Sequence, residues 1–186
     1  AAPALVFSKI RFNTDWRTAN RDSIGIAPDP ATTPEAIVQI YAARAFNWRG
    51  LFAVHTWIAT KPLNGKSFTV HQVLGWNVAD GHSAVVSRHD IPDRRWYDAE
   101  PNLIADIRGD EAVVLLQPIL EAVKQYPYTN EYRMWPGPNS NTFVADIIRK
   151  IPGLSVEMPT TAIGKDYLED GLLLDSVPSN TGWQFS

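Results

Sequence analysis

Two runs of ten residues, LFAVHTWIAT at 51–60 and SFTVHQVLGW at 67–76, set the tightest limit on how this chain folds. As an extended strand, the first carries Leu51, Ala53, His55, Trp57 and Ala59 on one side and Phe52, Val54, Thr56 and Ile58 on the other. Both sides are apolar, so the strand belongs in the middle of a sheet with cover on both faces. Between the runs, Leu63-Asn64-Gly65-Lys66 supplies the Asn-Gly pair of a hairpin turn, which makes the two strands antiparallel neighbours. Each strand holds one histidine in its middle.

The other elements follow from period and punctuation. Residues 4–12 read as a further strand, and 13–33 as a long surface loop rich in Asp, Asn, Pro and Gly. Thr33-Pro34-Glu35 predicts a helix start, with the helix running to about Phe46 through Ile37, Ile40, Tyr41 and Arg44. Ser83 to Arg88 reads as a third strand and 92–96 as a loop. Residues 110–125 are helical, with Pro118 expected to kink or split the helix. In WPGPNSNTFVADIIRK, residues 135–150, a Pro- and Gly-rich stretch gives way to a helix from about 140 to 150. Its buried stripe is Phe143, Val144, Ile147, Ile148 and Ile151. Beyond Pro152 the pattern is loop-like, with short strands near Leu172 and Trp183.

This predicts an α+β fold in which an antiparallel sheet packs against helices. A chain of 186 residues is long enough for one good core. We read 1–186 as a single domain: a strand and long loop at 1–33, a core at 34–151 and a loop-rich C-terminal extension at 152–186.

Composition excludes several functions. Seventeen basic against 20 acidic residues leave a net charge of −3, which argues against a nucleic-acid surface. The absence of cysteine removes disulfides, thiolate metal sites and a cysteine nucleophile. His82, His89, Asp80 and Asp90 carry metal-ligating atoms but follow no HExxH or calcium-loop spacing, and the glycines form no phosphate-binding fingerprint. No cofactor and no metal is expected.

Chemistry centres on Ser140, which lies on the buried stripe at the start of its helix. A hydroxyl there is either an ordinary helix cap or a nucleophile favoured by the helix dipole and by free N–H groups that can hold an oxyanion. A serine nucleophile needs a base. His55 is the candidate, otherwise a hydrogen-bonded core histidine, and His71 is the candidate for orienting it if the hairpin register brings both to one face. Asn139 and Asn141 either donate to an oxyanion or close turns. Tyr126, Tyr128, Tyr132 and Trp135 crowd the approach to Ser140, as a groove for an acyl chain, peptide or sugar or as packing beneath a loop. Trp57 joins them as a candidate ligand contact beside His55. Arg94, Arg95, Arg49 and Lys61 read as solvated or paired charges.

His55 within HTWI on a strand, a polar ring on the next strand at His71 and a helix opening on Asn139-Ser140-Asn141-Thr142-Phe143-Val144 resemble circularly permuted papain-like proteins. That group includes NlpC-type peptidases and lecithin retinol acyltransferase-like enzymes, whose nucleophilic cysteine is replaced here by Ser140. Over nearly the whole chain the sequence resembles a bacterial family known as domain of unknown function 3750. The matching blocks are DWRTANRDSIGIAPDP, YAARAFNWRGLFAVHTWIATKP, DRRWYDAEPNLI, YRMWPGPNSNTFVADI and TAIGKDY.

These resemblances imply a periplasmic or membrane-associated envelope protein, and Ala1-Ala2-Pro3-Ala4 is consistent with a removed export signal or anchor. They imply an amidase or esterase acting by acyl transfer through Ser140, His55 and His71. The alternative is a non-catalytic descendant that binds an envelope peptide, glycan or lipid, or serves as an accessory subunit of a membrane complex.

Overall fold

The computed structural model describes residues 15–46 and 53–168, together with a strand pair at 174–176 and 183–185. The strand expected at 4–12 lies outside the described residues.

Five antiparallel strands form the main sheet, in the order β4-β3-β2-β1-β5. They are β1 (Ile37–Arg44), β2 (Val54–Lys61), β3 (Thr69–Val73), β4 (Val85–His89) and β5 (Asn102–Arg108). A short helix α1 (Gly75–Ala79) follows β3, and two longer helices, α2 (Asp110–Lys124) and α3 (Ser140–Lys150), lie on one face. The α+β class expected from the sequence is what the chain adopts. A separate ladder joins β6 (Leu174–Ser176) to β7 (Trp183–Phe185).

The expected helix over 33–46 is instead β1. Ile37, Val38 and Ile40 are β-branched and favour the pleat. Burial is continuous from Ile37 to Ala43, which suits a strand covered on both faces, whereas an amphipathic helix would leave one side wet. All eight residues of β1 pair with β2, and its other edge pairs with β5, which pattern reading missed. The helix-like start at Thr33-Pro34-Glu35 is loop, where the Pro34 carbonyl accepts from the Asn64 N–H at 2.7 Å.

Two apolar clusters follow from this double burial. Val38, Ile40 and Ile58 of the sheet meet Leu115 and Ile119 of α2 and Phe143, Ile147 and Ile148 of α3. On the opposite face Ile37, Tyr41, Trp57, Ala59 and Val70 form the second cluster, with Trp96, Ala99 and Leu103 packed against it. Among the described residues no helix packs against this cluster. The 90–99 loop does, and the Trp57 indole N–H ties it down by donating to the Pro92 carbonyl at 2.8 Å. Buried Asp93 in turn accepts from the Ser23 hydroxyl and the Ile26 and Ala27 N–H groups, which fixes the 22–27 segment outside it.

Helix α2 runs unbroken through Pro118. The carbonyl deprived of a donor is that of Val114, which is 72% exposed, so water can take the missing bond. The turn from β5 into α2 needs Gly109, at φ +65°, because a residue with a β-carbon is strained there. Past Pro152 the chain is not peripheral: Leu154, Val156, Met158 and Ala162 are buried in the helix-side core.

Candidate functional site

Residue 139, rather than 140, caps α3. The Asn139 side-chain oxygen accepts from the N–H groups of Asn141 and Thr142 at 2.9 and 3.2 Å, and Thr142 Oγ1 accepts from the Asn139 N–H at 3.1 Å. This reciprocal box satisfies the end of the helix without Ser140. Among the described residues the Ser140 hydroxyl has no hydrogen-bond partner, and the Ser140 N–H donates to none. Ser140 therefore presents a free hydroxyl and a free amide at the positive end of an 11-residue helix.

Its neighbours hold this start rigid. Asn139 Nδ2 donates to the carbonyls of Met134 and Ile163, both at 3.0 Å. Asn141 Nδ2 donates to the carbonyls of Val54 and Ile163, and Asn141 Oδ1 accepts from the Thr56 hydroxyl. Thr56 also reaches the Ser140 carbonyl at 3.2 Å. Helix, strand β2 and the 161–164 loop are thus one hydrogen-bonded unit. Gly164 allows the loop this close, since a β-carbon there would meet Asn139. Both asparagines border the cavity described below, but their side-chain amides are spent on structure, which rules them out as ready oxyanion donors.

Asn139→Ala should lower stability by about 1–2 kcal/mol, chiefly the lost cap, since the Ile163 carbonyl keeps its bond from Asn141 and Met134 is 43% exposed. Urea unfolding measures this, and an unchanged midpoint would show that the box contributes little.

His55 is buried on the second-cluster face of β2, and its Nε2 lies 3.0 Å from Gln72 Oε1. A carbonyl oxygen only accepts, so Nε2 carries the proton and Nδ1 holds the lone pair. Trp96 stacks on the imidazole with ring centroids 3.7 Å apart and planes inclined by 12°. Burial pulls the His55 pKa down to about 4, with the Gln72 bond acting in the opposite sense. The ring is neutral at pH 7.

His71 does not orient His55. It pairs across from Ile58 and faces the helix side, where its nitrogens bond the Thr60 and Ser87 hydroxyls at 3.0 and 2.8 Å. Gln72, one residue on, holds His55. The signal was in the sequence: a two-residue turn at Asn64-Gly65 sets Ile58 opposite His71, the observed register, and therefore places Gln72 on the His55 face.

His55 and Ser140 line one cavity of about 750 Å³ where β2 begins and β3 ends. They are not hydrogen-bonded to each other. Its walls are mainly aromatic: Trp16, Phe46, Trp76, Trp96, Tyr97, Tyr132 and Trp135, with Met134 and Ile163. Sequence reading found Tyr132 and Trp135 but missed the tryptophans at 16, 76 and 96, which come from distant segments. Tyr126 is instead core, edge-on to Phe143 at 5.0 Å, with Tyr128 packed against it. Trp57 lies beneath the site and stacks on Tyr41 without bordering the cavity.

Lys61 is fully buried, not solvated, and its ammonium donates to the carbonyls of Glu35 and Pro62. Arg94 and Arg95 are paired with Asp90 and Glu100, and Arg49 lies outside the described residues. Among the described residues no three His, Asp or Glu side chains converge as metal ligands. His89 bonds Ser67, and Asp90 is occupied by Arg88 and Arg94. No described helix is long and apolar enough to cross a membrane.

The fold and site define an antiparallel α+β protein with an aromatic-walled cavity at the start of a sheet-packed helix. Residues 35–167 match the family model described as "Protein of unknown function (DUF3750)", and the chain belongs to that family. No match was found among curated proteins or among solved structures.

Proposed function

We propose that this protein is a serine-dependent acyl-transfer enzyme, an amidase or esterase of permuted papain-like type, acting on an apolar acyl group of the cell envelope. The observation that carries the reading is the uncommitted hydroxyl and N–H of Ser140 in the same cavity as a neutral His55 anchored by Gln72. Every other polar group at that helix start is hydrogen-bonded. In the reaction Ser140 Oγ attacks the carbonyl carbon while its proton passes to His55 Nδ1. The oxyanion is held by the Ser140 N–H. As the tetrahedral adduct collapses, His55 returns the proton to the departing amine or alcohol and an ester to Ser140 remains. Water or a second acceptor, deprotonated by His55, then attacks that ester, and His55 returns the proton to Ser140 Oγ as the bond to the acyl group breaks. The aromatic lining suits an acyl chain better than a charged peptide.

A fluorophosphonate probe tests this directly. Attack by Ser140 displaces fluoride and leaves a stable phosphonyl ester, so mass spectrometry should find the label on Ser140, and Ser140→Ala should take up none. Absence of label on folded wild-type protein would sink the catalytic reading. The missing Ser140–His55 hydrogen bond favours a second reading, a non-catalytic protein that binds an acyl ligand in this cavity, as accessory subunit or envelope receptor. Under it, Ser140→Ala binds ligand as tightly as wild type and neither protein is labelled.

A further inference from the structure

A second, smaller space opens behind Trp96. It has a volume of about 50 Å³ and is bordered by Arg21, Arg88, Arg94 and Arg95. Trp76, Trp96 and Tyr97 line both this space and the large cavity, so the two meet along a shared aromatic wall. Four guanidinium groups on the rim of one pocket stand out in a chain of net charge −3.

Of the carboxylates Asp90 alone borders the pocket, and its Oδ2 is shared by Arg88 and Arg94 at 3.1 and 3.0 Å. Arg95 pairs with the well exposed Glu100 at 2.7 Å. Arg21 has no carboxylate partner among the described residues. Its guanidinium donates to the Trp16 carbonyl at 2.8 Å and lies over the Tyr97 ring, 4.5 Å from the centroid. Such contacts orient an arginine while leaving its charge uncompensated, which is how a site for an anion is prepared. The volume admits a group the size of a single phosphate and no chain.

We propose that this arginine pocket is a subsite for the anionic head group, a phosphate or similar oxyanion, of an amphiphile whose apolar chain occupies the large cavity. The inference rests on the acyl-cavity reading above and narrows its substrate to an anionic acyl compound. The chain enters among Trp16, Trp76 and Trp135, and the head group reaches Arg21 and Arg88 past Tyr97.

Dodecyl phosphate, dodecanol and inorganic phosphate, each below any micellar concentration, separate the contributions by calorimetric titration of the wild-type chain. Dodecyl phosphate should bind about tenfold or more tighter than dodecanol, with the advantage shrinking as salt rises. Arg88→Gln should reduce that advantage while dodecanol affinity stays unchanged, and adding Arg21→Gln should abolish the advantage. Equal binding of the two amphiphiles, or a preference that survives the double variant, overturns the subsite alone. Inorganic phosphate binding as tightly as dodecyl phosphate overturns the head-group assignment in favour of a free anion. If neither amphiphile binds, the acyl-cavity reading falls and takes this one with it. Fluorophosphonate labelling is a separate readout, so loss of catalysis and loss of the subsite are distinguishable.

Discussion

His55→Gln is expected to lower acyl-transfer turnover about a thousandfold while leaving the protein folded. The glutamine amide can still reach Gln72 but cannot take a proton, so the change isolates general-base action, worth about 10²–10⁴-fold in enzymes of this chemistry. Because burial holds the His55 pKa at about 4, the base is already deprotonated across the neutral range. The rate should therefore rise with pH through about 4 and stay flat above, where an exposed histidine would place that limb near 6.5. Gln72→Ala should lower turnover by about tenfold and move the acid limb further down, since the lost bond is the one that raises the histidine's pKa. An acid limb that does not move in Gln72→Ala would mean that Gln72 only fills space. Unimpaired turnover in His55→Gln would remove the histidine from the mechanism.

How far this site was legible depended on which residues are local in the chain. The α3 start could be read from one segment, and so could the strands flanking Asn64-Gly65, because each is fixed by short-range chemistry. Region 33–46 was misread because Thr33, Pro34 and Glu35 do match a helix start and Ile37, Ile40 and Tyr41 do fall at helical spacing. Only the pairing of β1 with β2 and β5, set by residues as far as 108, decides otherwise. The same distance hid the cavity. Trp16, Trp76, Trp96 and Trp135 are scattered over 120 residues, on the segment before β1, on α1, on the 90–99 loop and on the segment before α3, and they meet only once the sheet has brought those segments together. Ser140 was found by pattern, but its freedom could not be, since it follows from Asn139 taking the cap and Thr56 taking the Ser140 carbonyl.

Two neutral histidines sealed in one sheet make stability depend on pH in a calculable way. Burial draws both His55 and His71 down to about 4, while an unfolded chain protonates them near 6.5. Between those values the unfolded state binds more protons than the folded one, so stability rises with pH there. The contribution is complete above about 6.5, lost progressively as pH falls, and gone below about 4. Full loss corresponds to about 3 kcal/mol per histidine, and moving from pH 6.5 to pH 5 removes about half of that for each. Urea unfolding of wild type should therefore show a drop of about 3 kcal/mol between these two pH values, a large part of the stability of an ordinary domain. His71→Gln has no proton to gain and should halve the drop, and combining it with His55→Gln should nearly flatten it. The two single changes should add, because the rings face opposite sides of the sheet and share no hydrogen-bond partner. A double variant as pH-sensitive as wild type would mean that both imidazoles titrate in the folded protein as they do in the unfolded chain, and the acid limb of His55-dependent turnover would then lie near 6.5 rather than about 4.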